Sequence, residues 1–91
     1  MSSVIVFHCW KTDCAPCKHI KPAIEDLKEE FGAPVYEWNS INVDTDSIRT
    51  LKLGVQQVPC LVVYKNGKEV GRHTGTQMIG YYQLLRKAGK A

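Results

Sequence analysis

An α/β fold of three layers, with a mixed four-stranded sheet flanked by three helices in the order β-α-β-α-β-β-α, is what this 91-residue sequence predicts. Three observations predict it. Short apolar runs of strand length alternate with segments in which apolar residues recur every three or four positions, as they do when strands are joined by crossover helices. The last two strand-like runs are separated instead by Lys65-Asn66-Gly67-Lys68, and Asn-Gly is a strong hairpin signal, so one strand pair is antiparallel and the sheet is mixed. The content, 44% hydrophobic and 23% charged, fits one globular domain spanning 1–91. A domain near this size buries roughly 60–70% of its unfolded surface and needs no disulfide framework.

Each element follows from its own residues. Val4-Ile5-Val6-Phe7 opens an apolar run that continues to Trp10, the pattern of a strand buried on both faces. Pro16 suits the first turn of the next helix, where Ile20, Ile24, Leu27 and Phe31 form an apolar stripe opposite Glu25, Asp26, Lys28, Glu29 and Glu30. Pro22 lies inside that stripe, so the helix either kinks there or divides in two, and Gly32 closes it. Val35 to Val43 is strand-like. Asp44-Thr45-Asp46 supplies capping oxygens for a short helix through Ile48, Leu51 and Leu53, stopped by Gly54. Cys60 to Tyr64 is the next strand, and Glu69 to His73 returns beside it. Gly75 precedes a last helix with Met78, Tyr81, Tyr82 and Leu85 on one buried stripe.

Charge and composition exclude several classes of function. Lys and Arg number 12 against 9 Asp and Glu, a net +3 scattered along the chain without a basic block, so nucleic-acid binding is not expected. No stretch approaches the ~18 apolar residues that span a bilayer. Met1 to Cys9 lacks the pattern of a secretory leader, which makes a cytoplasmic location the expectation. In that compartment Cys9, Cys14, Cys17 and Cys60 are redox-active, metal-binding or simply buried, and not structural cross-links. No phosphate-cradling glycine loop, serine-histidine-acid set or paired-carboxylate arrangement is present.

Cys14-Ala15-Pro16-Cys17 falls where the first strand hands over to the first helix. There the first sulfur meets unsatisfied backbone N–H groups and the positive end of the helix dipole, both of which favour thiolate. The second thiol, one turn on, is close enough to attack a mixed disulfide on the first, so the chemistry implied is thiol–disulfide exchange. Cys-x-x-Cys is also half of many zinc sites, but a closed site wants four ligands and no second close pair exists.

Trp10-Lys11-Thr12-Asp13-Cys14-Ala15-Pro16-Cys17-Lys18 resembles the active-site segment of the thioredoxins. Pro22 resembles their kink proline, Ile41-Asn42-Val43-Asp44 their middle strand, and Leu53 to Pro59 their approach to a cis-proline. Tyr64-Lys65-Asn66-Gly67 and Gly75 resemble the hairpin and the glycine before the last helix. The usual first strand and helix have no counterpart ahead of Val4, so the resemblance implies a minimal thioredoxin-like fold. Glutaredoxins are a poorer match, since their tyrosine between the cysteines and their paired glycines after the cis-proline are missing.

The resemblance implies a protein disulfide reductase. Cys14 would be the nucleophile and Cys17 the resolving thiol, with no bound cofactor. Electrons would come from a flavin- and NADPH-dependent thioredoxin reductase, with disulfide-containing proteins as substrates and no membrane or nucleic-acid partner; a monomer is expected. Trp10 would back the active-site turn, Lys18 assist the thiolate, and Val58 and Pro59 shape the substrate groove. Three positions depart from the family. Asp13 stands where tryptophan is usual and opposes the thiolate that Lys11 and Lys18 favour. His8 and Ser40 replace a buried aspartate and a lysine on the next strand; a neutral imidazole is a competent proton acceptor, so His8 keeps the role or is a core residue. Cys60 stands where threonine is usual, either as a small buried residue or as an auxiliary redox or metal ligand. Strand alternation puts it on a face with Val62, pointing toward the cysteine pair or into the core beneath the first helix. Cys9 is read as core, and His19 and His73 as exposed without a role. Two alternatives stand beside the reductase: a zinc or iron–sulfur protein using Cys14, Cys17 and Cys60, and a non-redox subunit of a larger enzyme.

Overall fold

The structure, a computed structural model, describes residues 3–90; Met1 and Ser2, where the leader reading begins, and Ala91 lie outside them. Its elements run β1 (Val4–Trp10), α1 (Ala15–Glu30), β2 (Tyr36–Asn42), α2 (Ser47–Leu53), β3 (Cys60–Lys65), β4 (Lys68–Thr74) and α3 (Met78–Lys90). The sheet is ordered β2-β1-β3-β4. β1 pairs in parallel with β2 from Val4↔Tyr36 to Trp10↔Asn42, and antiparallel with β3 from Val4↔Lys65 to Cys9↔Cys60. β3 and β4 form the hairpin, turned by Asn66 and Gly67 at φ 53° and 79°, the left-handed pair that matches strand twist.

Alternation along β1 sends side chains into two cores. Val4, Val6, Leu61 and Val63 face Ile20, Ile24 and Leu27 of α1 and Tyr81, Leu85 and Ala88 of α3. Full burial of side chains such as Ile24 and Leu85 stabilises by roughly 1.5–3 kcal/mol each. Cys9, Ile41, Cys60 and Val62 face the other way, covered by Val43, Leu53, Val55 and Val58. β1 is therefore walled on both sides at its C-terminal end, though Ile5 and Phe7 are only half-buried.

α1 is one helix despite Pro22, whose ring nitrogen has no hydrogen to return to the Lys18 carbonyl. It ends at Phe31, whose N–H donates to Leu27 O at 2.8 Å. Gly32, expected to be the stop, matters instead for space, because a Cβ there would meet Lys28 O at 2.9 Å. α2 has the opposite character. None of its side chains is fully buried, and Ile48 and Leu51 are 68% and 80% exposed, so of its apolar residues only Leu53, half-buried, packs on the core. It is held at its ends. Asp46 caps the start, accepting from Arg49 N at 3.2 Å and Arg49 Nε at 2.6 Å. At the other end Gly54 turns at φ 67°, and Arg72 of β4 donates to Leu53 O at 2.9 Å and Gly54 O at 3.3 Å while Glu69 grips its guanidinium.

Candidate active site

Cys14 is the N-cap of α1, and its sulfur accepts from Cys17 N–H at 3.1 Å, one of the helix's orphan donors. The sequence places the pair there because Pro16 cannot donate and tolerates only the first turn. Cys14 and Cys17 are joined as a disulfide, with Cα atoms 5.2 Å apart. Both residues are 6% exposed, so the first is not the open one that its position at the helix start suggests. What distinguishes them is their surroundings.

Cys14 lines a groove of about 600 Å³ with Asp13, Pro16, Val58, Thr74 and Gly75. Its far wall is fixed by backbone: Gly75 N–H donates to Pro59 O at 3.1 Å, and the buried Tyr81 hydroxyl donates to Gly75 O at 2.6 Å. The Val58–Pro59 peptide is cis, as is Ala33–Pro34. Gly75 adopts φ 101°, a conformation that only glycine holds without strain. Tyr81 and Gly75 were not singled out as site residues from sequence, because a buried aromatic on a helix stripe reads as core.

Cys17 lines a different cavity, about 450 Å³, together with His8, Trp10, Lys18 and Ser40. His8 is 8% exposed, and its Nε2 is buried without a hydrogen-bond partner. Ser40 sits opposite His8 in the sheet register, but its hydroxyl accepts from Trp10 Nε1 at 2.7 Å. Trp10 is thus tied to β2 beside the active-site turn. Burial lowers the His8 pKa to about 4, helped by the Lys28 and Lys21 ammoniums and opposed by the Glu25 carboxylate. Those three α1 residues line the same cavity. Their spacing from Cys17, at i+4, i+8 and i+11, is a helix face that the sequence carries openly. Lys18 is exposed at the rim, and Lys11 borders both cavity and groove.

Cys60 points neither to the cysteine pair nor beneath the first helix. It is 1% exposed in the core on the α2 side of the sheet, directly across from Cys9, and its Sγ lies 3.6 Å from Leu61 O. The physical reason is register: His8 and Leu61 take the α1 side, so Cys9 and Cys60 take the other. Both thiols are free. Burial, and then its Cys60 neighbour, push the Cys9 thiol up to about 12; burial also raises Cys60. Among the described residues no group of three or more His, Cys, Asp or Glu is placed to hold a metal ion, and the metal reading is not favoured. We expect a bulky alkylating reagent to label no cysteine rapidly in the native oxidised protein and two after denaturation. Rapid native labelling of either would overturn the sealed-core placement. His73, expected to be exposed, is half-buried, its ring against Tyr81 at 4.6 Å and its Nε2 3.0 Å from Gln77 O.

A cysteine pair at the start of a helix can, when closed, take two electrons from a dithiol and, when open, give two electrons to another disulfide. The fold and site together define a dithiol–disulfide oxidoreductase. The thioredoxin family profile matches residues 1–84. Thioredoxin from Coprinus comatus is 28% identical over 85 residues, covering 93% of this chain and 80% of that one. Thioredoxin-1 from Saccharomyces cerevisiae is 35% identical over 82 residues, covering 90% and 78%. The X-ray structure of Fasciola hepatica thioredoxin superposes with a TM-score of 0.86 at 29% identity, over 96% of this chain and 82% of that one. The chain belongs to the thioredoxin family. Thioredoxins are protein disulfide oxidoreductases that carry no bound cofactor, and the reading of this chain as a non-redox subunit is not favoured. Among the described residues no helix is long and apolar enough to cross a membrane.

Proposed function

We propose that this protein reduces disulfides in other proteins as a monomeric single domain, 1–91, with Cys14 as nucleophile and Cys17 as resolving thiol. The observation that carries the assignment is the division of one disulfide between two environments: Cys14 borders the open groove, Cys17 the cavity of His8. In the reduced protein the Cys14 thiolate, favoured by the helix start and by Lys18, attacks a substrate sulfur and expels its partner as thiolate. Cys17 passes its proton to His8 and attacks the Cys14 sulfur of the mixed disulfide. The second substrate sulfur leaves as thiolate and is protonated, the substrate has gained two electrons, and Cys14–Cys17 is closed again.

Val58 and Pro59 shape the groove, and the Val58 backbone takes an extended substrate as an added strand. Trp10 holds the turn through Ser40. Cys60 supports the wall from within as a packed, unreacted side chain. A flavin- and NADPH-dependent thioredoxin reductase returns the electrons, in the cytoplasm, and the missing glutaredoxin features favour it over glutathione. An insulin-reduction assay tests this directly. Turnover is expected with thioredoxin reductase and NADPH, and little with glutathione and glutathione reductase; the reverse preference would defeat the assigned electron source.

A further inference from the structure

The cavity behind Cys17 holds more charge than a proton acceptor needs. Beyond His8 and Cys17 it is lined by Lys21, Glu25 and Lys28 of α1, all on the helix face that Cys17 begins. Lys28 donates to Glu25 Oε1 at 3.3 Å. The other sides of His8 are neutral: Ser40 of β2 and Leu61 of β3 flank it in the sheet, while Lys11 and Lys18 stand at the rim. A buried imidazole with an unpartnered nitrogen therefore lines one cavity with a row of lysines and one carboxylate among them.

We propose that Glu25 is a positioning residue for the resolving step: its carboxylate, held by Lys28, offsets the ammonium charges facing His8 and so sets how readily the imidazole takes the Cys17 proton. The inference rests on the His8 reading above. Lysines alone would make imidazolium still harder to form, since like charges in one cavity disfavour it. An acceptor far less basic than a thiol gains rate with every increment of basicity. The lever works through space, because Glu25 stands on α1 two helical turns beyond Cys17 and need not touch the reacting sulfur. Its side chain is 55% exposed and that of Lys28 31%, so water screens both and the effect is graded.

Two substitutions of opposite sign test it. In the oxidised protein the NMR titration midpoint of the His8 imidazole is expected to fall by roughly half a pH unit in Glu25→Gln and to rise similarly in Lys28→Met. Single-turnover resolution of a mixed disulfide on Cys14 at pH 7 is expected to slow roughly twofold in the first and quicken roughly twofold in the second. Loss of packing would slow both variants and would not move the two midpoints in opposite directions. Midpoints that stay put in both variants overturn the role of Glu25 and leave His8 as acceptor untouched. Midpoints that shift while both rates stay put overturn His8 as the acceptor, and the Glu25 role with it.

Discussion

Cys14→Ser is expected to abolish disulfide reduction, whereas Cys17→Ser is expected still to attack its substrate and to stall as a stable mixed disulfide. The asymmetry does not come from exposure, which is equal for the two residues. It comes from geometry: Cys14 lines the groove with Val58 and Gly75, where a substrate would lie under the proposed roles, while Cys17 lines the His8 cavity behind. Serine at 14 removes the sulfur that lines the groove and also replaces the thiolate that the Cys17 N–H would steady. Serine at 17 leaves that nucleophile intact but removes the intramolecular attack, so the covalent intermediate persists. Mass spectrometry of each variant mixed with a disulfide substrate reads the outcome; equal trapping by both would reverse or void the assignment.

Acidification from pH 6.5 to 4 is expected to destabilise the oxidised protein by an amount approaching about 3 kcal/mol through His8 alone, following from a pKa that falls from 6.5 unfolded to about 4 folded. The sign follows from proton uptake. Between those two values the unfolded chain binds the proton and the folded one does not, so stability is full above 6.5 and drains as pH falls toward 4. The depressed carboxyls of Asp46 and Glu69, each held by an arginine, lose their contribution in a lower window, as pH falls through and below their ordinary values. His8→Leu fills the site with an apolar side chain and separates the two. Urea midpoints measured across the range should be nearly flat from pH 6.5 to 5 in that variant and sloped in the natural protein. The same slope in both would remove His8 as the cause.

All seven elements were legible in order because their signals are local: the helical stripe from Ile20 to Phe31, the Asp46 cap, the Asn66-Gly67 turn. The cysteine pair was legible for the same reason, since its chemistry depends on a spacing and on a strand handing over to a helix. What escaped depends on three-dimensional choices between equivalent patterns. Cys60 could face either way because Leu61, Val62 and Val63 are apolar on both sides of the strand, and only its pairing with Cys9 decides. The state of His8 depends on how deeply the packing of α1 on the sheet buries it and on which α1 charges reach its cavity, neither of which its own position in the sequence reveals. The helix through Ile48, Leu51 and Leu53 was legible, but the facing of its apolar residues was not: Ile48 and Leu51 stay exposed and only Leu53 packs inward.

That loose seating has a thermodynamic consequence. A seven-residue helix with no buried side chain, clasped by Asp46 at one end and Arg72 at the other, has little holding it down between its clasps. Such a segment forms its own cooperative unit, opening at a free energy well below that of the whole molecule. Its Leu53, with Val43 before the helix and Val55 after it, also roofs the core that holds Cys9 and Cys60. The two sealed thiols are therefore built-in reporters of sub-global opening: their exchange rate with solvent follows the population in which this roof is lifted, while β1 and the catalytic pair remain in place.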